Sequence, residues 1–488
     1  MNRRKFLRTT AAAAAIAAMP RGLRANDIAT ASARLTIHPS QLGSPIAKDF
    51  LGLSYEAAQL AHPEYFSAQN TGLAGFLRVL GPSVLRIGGN TSEYAFWTPK
   101  PTSQAALAQG SDVVGPDKGH HPATPTQTTP QAILNLKEFL DLIDWRCMYG
   151  LNLGKGTLQQ AADEADYVSQ TLGDRLISFQ FGNESDLFHH NGLRPASYDY
   201  ADFAKDWQSF YDAVHARLPD AKFAGPDTAG TGVWVEEFAQ QFKDKIDLLT
   251  THYYAEGPPT DPSMTIERLL GPTNSRWDKG QPMIQQAMAE SHLPFRLTET
   301  NSCYSGGKPG VSNTFASSLW ALDLMSKLLA IGASGINFHT GGYGWYAPVV
   351  GSIENGFVAR PEYYALLLFS QLVGGRVVAS QLEASSVGPL LVCFAARDAK
   401  GKLQTVVINK DPAKNVRLAL NAAASSERVA VQRLIAPTLE DEQDVTFAGA
   451  PVGAEGAWQA ARTQHVRASN GKAECFIPAA SAALLRWE

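Results

Sequence analysis

Cysteine is scarce in this chain: four in 488 residues, at Cys147, Cys303, Cys393 and Cys475. They lie far apart, with no Cys-x-x-Cys pair and no Cys/His spacing of a metal centre, so no metal site is expected. Most read as small buried apolar residues, although Cys393 and Cys475 can pair if the protein works in an oxidising compartment. Long runs of one charge are also missing. The net charge is −4 and Lys and Arg are not clustered, which argues against a nucleic-acid partner. There is no internal repeat and no apolar run long enough to span a bilayer comfortably.

What the chain does have begins with an export-like segment over residues 1–25. Asn2-Arg3-Arg4-Lys5-Phe6-Leu7-Arg8 is a twin-arginine pattern, an Ala-rich run from Ala11 to Met19 follows, and Ala25 offers a cleavage point. A basic amphipathic helix is the alternative reading. Twin-arginine export carries folded proteins through a bacterial inner membrane, so a periplasmic or secreted protein is expected, with no membrane anchor after cleavage.

Residues 47–371 alternate between short apolar runs and amphipathic stretches. The runs expected as strands are 50–56, 83–87, 151–153, 176–181, 222–226, 246–254, 295–298 and 335–339. Helices are expected at about 71–80, 131–146, 158–171, 197–217, 283–291 and 313–331. Eight strand–helix units predict an α/β fold, a parallel (β/α)8 barrel. Residues 98–129, rich in Pro, Thr, Gln, Ser and Gly, form a long connection that is either a cleft wall or an insertion. From 372 to 488 the pattern becomes short strands between turn residues, which predicts a C-terminal antiparallel β-sandwich domain. The alternating Ala33-Arg34-Leu35-Thr36-Ile37-His38, within residues 26–46, is expected to join that sandwich.

Two strands end in carboxyl groups. Ile177–Phe181 leads through Gly182 and Asn183 to Glu184, and Phe295–Thr298 leads to Glu299, 299 − 184 = 115 residues later. A carboxylate after a buried strand is costly unless paired or used, and strand carboxyl ends of such barrels carry catalytic groups. Two of them suggest a glycosidase pair. Each glutamate alone could equally be a structural carboxylate paired with an arginine.

Leu53-Ser54-Tyr55-Glu56, Leu85-Arg86-Ile87-Gly88-Gly89-Asn90, Gln180-Phe181-Gly182-Asn183-Glu184 and His252-Tyr253-Tyr254 together resemble glycoside hydrolase family 79, the clan A family of heparanases and β-glucuronidases. One departure is Ser185 after the Asn-Glu pair, where the family often has proline. The resemblance implies a retaining β-glucuronidase without a cofactor, with Glu184 as acid/base and Glu299 as nucleophile. It implies that Tyr304, the Gly306/Gly307 backbone and Tyr346 hold the uronate carboxylate. A glycine turn with packing aromatics is the plainer reading of that loop.

Further candidates follow from strand-end positions. Asn183 can meet the sugar 2-OH or brace the nucleophile, and Tyr254 can orient Glu299 or pack at the rim. Glu56 can accept from a sugar hydroxyl or pair with Arg86. Asn90 and His339 can contact sugar hydroxyls. Lys308 is more simply solvated, and His189-His190 lacks a third ligand. A monomer acting on β-glucuronide oligo- or polysaccharides is expected. The rivals are a heparanase-like endo-glucuronidase, another clan A glycosidase such as an arabinofuranosidase or xylosidase, and a non-catalytic carbohydrate-binding protein.

Overall fold

The computed structural model describes residues 29–100, 124–230, 232–272, 275–341, 344–385, 388–422 and 426–488. The export-like segment and most of the 98–129 connection lie outside the described residues.

The first strand, β1 (Ala29–Pro45), precedes the barrel but belongs to the far end of the chain. It pairs antiparallel with a strand at Arg376–Glu383 and parallel with one at Lys414–Ala422. The barrel strands are β2 (Gly52–Glu56), β3 (Val84–Gly88), β6 (Arg146–Leu151), β7 (Leu176–Phe181), β8 (Ala224–Thr228), β9 (Leu248–Glu256), β10 (Phe295–Cys303) and β11 (Gly335–His339). Between β3 and β6 a short pair, β4 (Ala95–Trp97) and β5 (Thr126–Thr128), brackets the long connection. The eight barrel strands are ordered β7-β6-β3-β2-β11-β10-β9-β8, and every pairing is parallel. A parallel bridge between Phe179 and Phe223 brings the two ends of this sheet together.

Local chemistry explains where the helices start. Thr129 caps helix α2 (Pro130–Ile143), whose first residue is a proline that lacks a donor where none is needed. Thr157 and Gln160 form a reciprocal capping box on α3 (Leu158–Leu172). The expected barrel is present, with three local corrections. Helix α2 stops at Ile143, with Asp144 in a left-handed conformation (φ 56°), and the third barrel strand runs over Arg146–Leu151 instead of 151–153. Cys147, Tyr149 and Leu151 are its buried alternating positions, which also fit the end of a helical pattern. The helix expected at 283–291 begins at Ser275 and passes through Pro282. The seventh barrel strand runs on to Cys303, so Glu299 lies within it.

Beyond the barrel, nine further strands and β1 make a ten-stranded mixed sheet folded as the expected sandwich. Its inner face has a core of its own, including Leu35, Ile37, Leu418 and Leu485. Its other face contributes Val406, Ile408, Leu434 and Leu484 to the core of the barrel. A buried ion pair from Lys410 Nζ to Asp323 Oδ2 (2.6 Å) crosses that junction. Cys393 and Cys475 are both free thiols, so the pairing that the sequence allowed does not form.

Candidate active site

The chain leaves β7 through Gly182 and Asn183 and reaches Glu184, which sits in the left-handed region (φ 52°, ψ 49°). For a residue with a side chain that conformation is costly, on the order of 1–3 kcal/mol, and persists only where its surroundings fix it. Three successive N–H groups do so: Gly182 donates to the Leu151 carbonyl (3.0 Å), Asn183 to Glu93 Oε1 (2.8 Å) and Glu184 to the Asp227 carbonyl (2.9 Å). The Glu184 side chain thereby points into the barrel mouth, where its Oε1 lies 2.9 Å from His252 Nδ1.

Glu299 reaches the same space from β10. The pairing of β10 with β9 shifts register between Leu297 and Glu299. Such an irregularity re-aims side chains. Here the neighbouring residues Thr298 and Glu299 both turn inward, Thr298 Oγ1 to Asp227 Oδ1 (2.6 Å) and Glu299 to Arg86 and Tyr254. Tyr254 Oη donates to Glu299 Oε1 at 2.8 Å, and Arg86 Nη1 donates to Oε2 at 2.6 Å. His339 Nδ1 stands 3.5 Å from Oε2. One oxygen of Glu184, one ring nitrogen of His252 and one oxygen of Glu299 all lie within 4.8 Å of one another.

Arg86 organises this cluster from below. Its guanidinium is buried and also binds Asp227 Oδ2 (2.5 Å), Asn183 Oδ1 (2.8 Å), Ser54 Oγ (2.9 Å) and Gln180 Oε1 (3.3 Å). Asp227 is the second anion at the barrel centre. Its Oδ1 accepts from Gln180 Nε2 (2.5 Å) and Thr298, and lies 3.2 Å from His252 Nε2.

The electrostatics follow from these contacts. Burial works against the charge on Glu299, but His339, His252 and Arg86, with the Tyr254 hydrogen bond, hold its carboxyl down at about 2. His252 is also buried, yet Asp227 and Glu299 outweigh that cost and push the imidazole up to about 10. His339 is shifted upward as well: burial opposes its charge, and Glu299 and Glu56 overcome it.

Glu184, His252 and Glu299 are spaced closely enough to hold a metal ion. Their chemistry does not fit one. His252 faces carboxylates with both ring nitrogens and is kept protonated, which leaves no lone pair for a metal, and Arg86 already occupies Glu299. The His189 and His190 rings lie side by side, centroids 3.8 Å apart and tilted by 42°, outside this group.

The structure gathers the other expected residues at the same mouth. Asn183 braces Arg86 through Oδ1 and donates from Nδ2 to Asn90 Oδ1 (3.3 Å), so it supports Glu299 at one remove. Glu56 is not the partner of Arg86, whose ion pairs are with Asp227 and Glu299. It accepts instead from Thr91 N (2.8 Å) and Thr91 Oγ1 (2.6 Å), 3.4 Å from His339 Nε2.

Tyr254 has Tyr304 and Tyr346 as ring neighbours, at centroid distances of 6.5 and 6.2 Å, and Tyr346 lies 6.0 Å from the His339 ring. The loops after β10 and β11 are joined where Trp345 N donates to the Gly306 carbonyl (2.6 Å). Gly307 (φ +86°) lies so close to that second loop that a Cβ would sit 2.8 Å from Tyr346 N. Lys308 Nζ is tied to the Asp261 carbonyl (2.6 Å).

Sequence reasoning gave no role to Asp227, His252 or Glu93. His252 lies two residues from Tyr254 on one strand face, and this period of two is the signal that could have found it.

Two family models match the chain: the glycosyl hydrolase family 79 N-terminal domain over residues 148–326 and the family 79 C-terminal beta domain over 393–484. The chain belongs to glycosyl hydrolase family 79. Among curated relatives, this family 79 chain is 25% identical over 348 residues to a β-glucuronidase of Neurospora crassa, covering 63% of this chain and 60% of that one. It is 26% identical over 322 residues to a β-glucuronidase of Aspergillus niger, covering 58% and 57%. A heparanase of Bos taurus is 25% identical over 411 residues, covering 72% and 70%. The match thus spans less than two thirds of the length of the two fungal relatives.

Among solved structures, a 4-O-α-L-rhamnosyl-β-D-glucuronidase from Fusarium oxysporum superposes with a TM-score of 0.70 at 18% identity, covering 92% of this chain and all of that one. A family 51 arabinofuranosidase from Xanthomonas axonopodis pv. citri gives 0.70 at 15% identity, covering 94% and 100%. At these identities the likeness is one of fold.

Proposed function

We propose that the protein is a retaining β-glucuronidase acting on β-linked glucuronides, with Glu299 as nucleophile and Glu184 as acid/base. The observation that carries this reading is the approach of the two carboxyl groups, whose oxygens come within 4.8 Å of each other. Retaining enzymes place their carboxyls about 5–5.5 Å apart, whereas inverting ones leave roughly 6.5–9.5 Å for a water. Glu299 is already ionised, as a nucleophile needs to be.

In the first step a Glu299 oxygen bonds to the anomeric carbon, the glycosidic C–O bond breaks, and the Glu184 proton passes to the departing oxygen. In the second, Glu184 takes a proton from water, the water oxygen bonds to the anomeric carbon, and the Glu299 ester bond breaks. β-Glucuronic acid leaves and both carboxyls return to their starting states. Tyr254 and Arg86, one on each oxygen, fix the nucleophile.

The uronate carboxylate would be received by the hydroxyls of Tyr304 and Tyr346 and the Gly306/Gly307 backbone, on loops that the structure joins. Glu56, Asn90 and His339 would meet ring hydroxyls. The twin-arginine pattern supports an exported enzyme. The curated relatives support a glucuronide substrate: two are β-glucuronidases and one is a heparanase.

The test is a panel of para-nitrophenyl glycosides followed by labelling with a 2-fluoro glucuronide. The β-glucuronide should be turned over well above the β-glucoside, and the label should be found on Glu299. Preference for a neutral pentoside would overturn the substrate class, and a label elsewhere would overturn the nucleophile.

A further inference from the structure

Of the three N–H groups that fix the turn at Glu184, two are held by main-chain carbonyls of neighbouring strands, Leu151 and Asp227. The third, on Asn183, is held by a side chain, that of Glu93. Glu93 lies just beyond Asn90 on the segment after β3 and is 1% exposed. Its other oxygen, Oε2, accepts from Gly154 N at 2.5 Å, on the loop that follows β6. Arg194 grips the same loop through the Gly154 carbonyl (2.7 Å) and the Leu153 carbonyl (3.2 Å). One buried carboxylate therefore ties the ends of three adjacent barrel strands together at the residue before Glu184. A buried carboxyl is expensive to keep, and a packed apolar residue at this position would leave the Asn183 donor without its acceptor.

We infer that Glu93 is a positioning residue for the acid/base: by holding the N–H of Asn183 it sets where the Glu184 carboxyl delivers its proton. The inference rests on the reading of Glu184 as acid/base. It separates Glu93 from residues that merely stabilise the barrel, because a misplaced acid harms only substrates that need it. Phenol is a poor leaving group and departs only when protonated; 2,4-dinitrophenolate leaves unaided. Since kcat/KM reports the step up to cleavage of the glycosidic bond, it isolates this difference.

Glu93→Gln keeps the size of the side chain but sets an NH2 group against one of the two N–H donors. In the full-length enzyme, kcat/KM on phenyl β-glucuronide should fall ~10-fold or more, while on 2,4-dinitrophenyl β-glucuronide it should stay within ~3-fold, since general acid catalysis contributes roughly 10²–10⁴ where a proton is needed. Gly154→Ala is the second variant: its Cβ would lie 2.8 Å from Glu93 Oε2 and displace the carboxylate without removing it. It should show the same split, even if Glu93→Gln does not fold. Equal losses on both substrates, or no loss on either, in the variants that fold would overturn the inference, as would failure of both variants to fold, since Glu93 would then be a scaffold residue. If the wild-type enzyme turns over neither glucuronide, the glucuronidase reading has failed instead.

Discussion

Tyr254→Phe removes a single hydroxyl, the donor on Glu299 Oε1 at 2.8 Å, while Arg86 remains on Oε2. A hydrogen bond to a charged group contributes about 1.5–3 kcal/mol, and each tenfold corresponds to about 1.36 kcal/mol, so kcat/KM on an aryl β-glucuronide should fall roughly 10- to 150-fold if the bond holds the nucleophile for attack. The same bond helps to keep the Glu299 carboxyl at about 2, against burial and alongside His339, His252 and Arg86. Losing it should raise that value by about one to two pH units, by the same conversion.

The sign matters for the assay. Glu299 has a depressed value, so its ionised form persists above that value and is lost as the pH falls through it. In the variant Glu299 should still be ionised at pH 6 and above. The loss there should therefore be full and independent of pH, and should deepen only in strongly acidic buffer. A kcat/KM profile from pH 4 to 8 checks this. A loss below twofold at pH 6–7 would refute the functional role of the bond. A loss that appears only in acid would mean that Tyr254 sets protonation and not orientation.

Arg86→Met should destabilise the protein by about 3–5 kcal/mol near neutral pH, measured by urea unfolding, because two buried carboxylates lose their cation. Both carboxyls are held below their ordinary values in the native state, so the stability they contribute is present above roughly pH 4–4.5 and is lost as the pH falls towards 2; the deficit of the variant should shrink over that window. Gly307→Ala should lower activity on the β-glucuronide more than on the β-glucoside, since its Cβ would push against Tyr346 N at a residue with φ +86°; equal losses would remove this loop from uronate recognition. Dithiothreitol should leave the melting temperature unchanged, because all four cysteines are free; a drop would reveal a disulfide.

The barrel was legible because its strands announce themselves locally. Leu176–Phe181 and Gly335–His339 are short apolar runs with the expected limits, and each is preceded by a helical pattern. The misses occur where two periods fit the same residues, or where one residue type is taken as a stop. Cys147, Tyr149 and Leu151 suit a strand face, but they follow a helix whose end no glycine marks; Asp144 takes the left-handed conformation instead. Pro282 reads as a helix start, since proline is best tolerated in a first turn, yet here the helix extends seven residues before it. The bulge in β10 leaves no trace in composition, although it decides that Thr298 and Glu299 face the same way.

For the site, strand-end position pointed to Glu184, Glu299 and Tyr254 as candidates but could not show which strand ends face one another across the barrel. One of the two readings of Glu56, on the adjacent strand, paired it with Arg86, whereas the ion-pair partners of Arg86 are Asp227 and Glu299, 141 and 213 residues away. The charge count explains why the distant pairs win. Arg86 and His252 bring two positive charges into a buried space, and Asp227 and Glu299 bring two negative ones, within hydrogen-bond or ion-pair reach. Glu56 and His339 face each other beside them. Glu184 meets the same group through His252, whose Nδ1 stands 2.9 Å from its Oε1. That contact follows from the company that Arg86 and His252 keep across the barrel, not from anything in the Asn183-Glu184 motif itself.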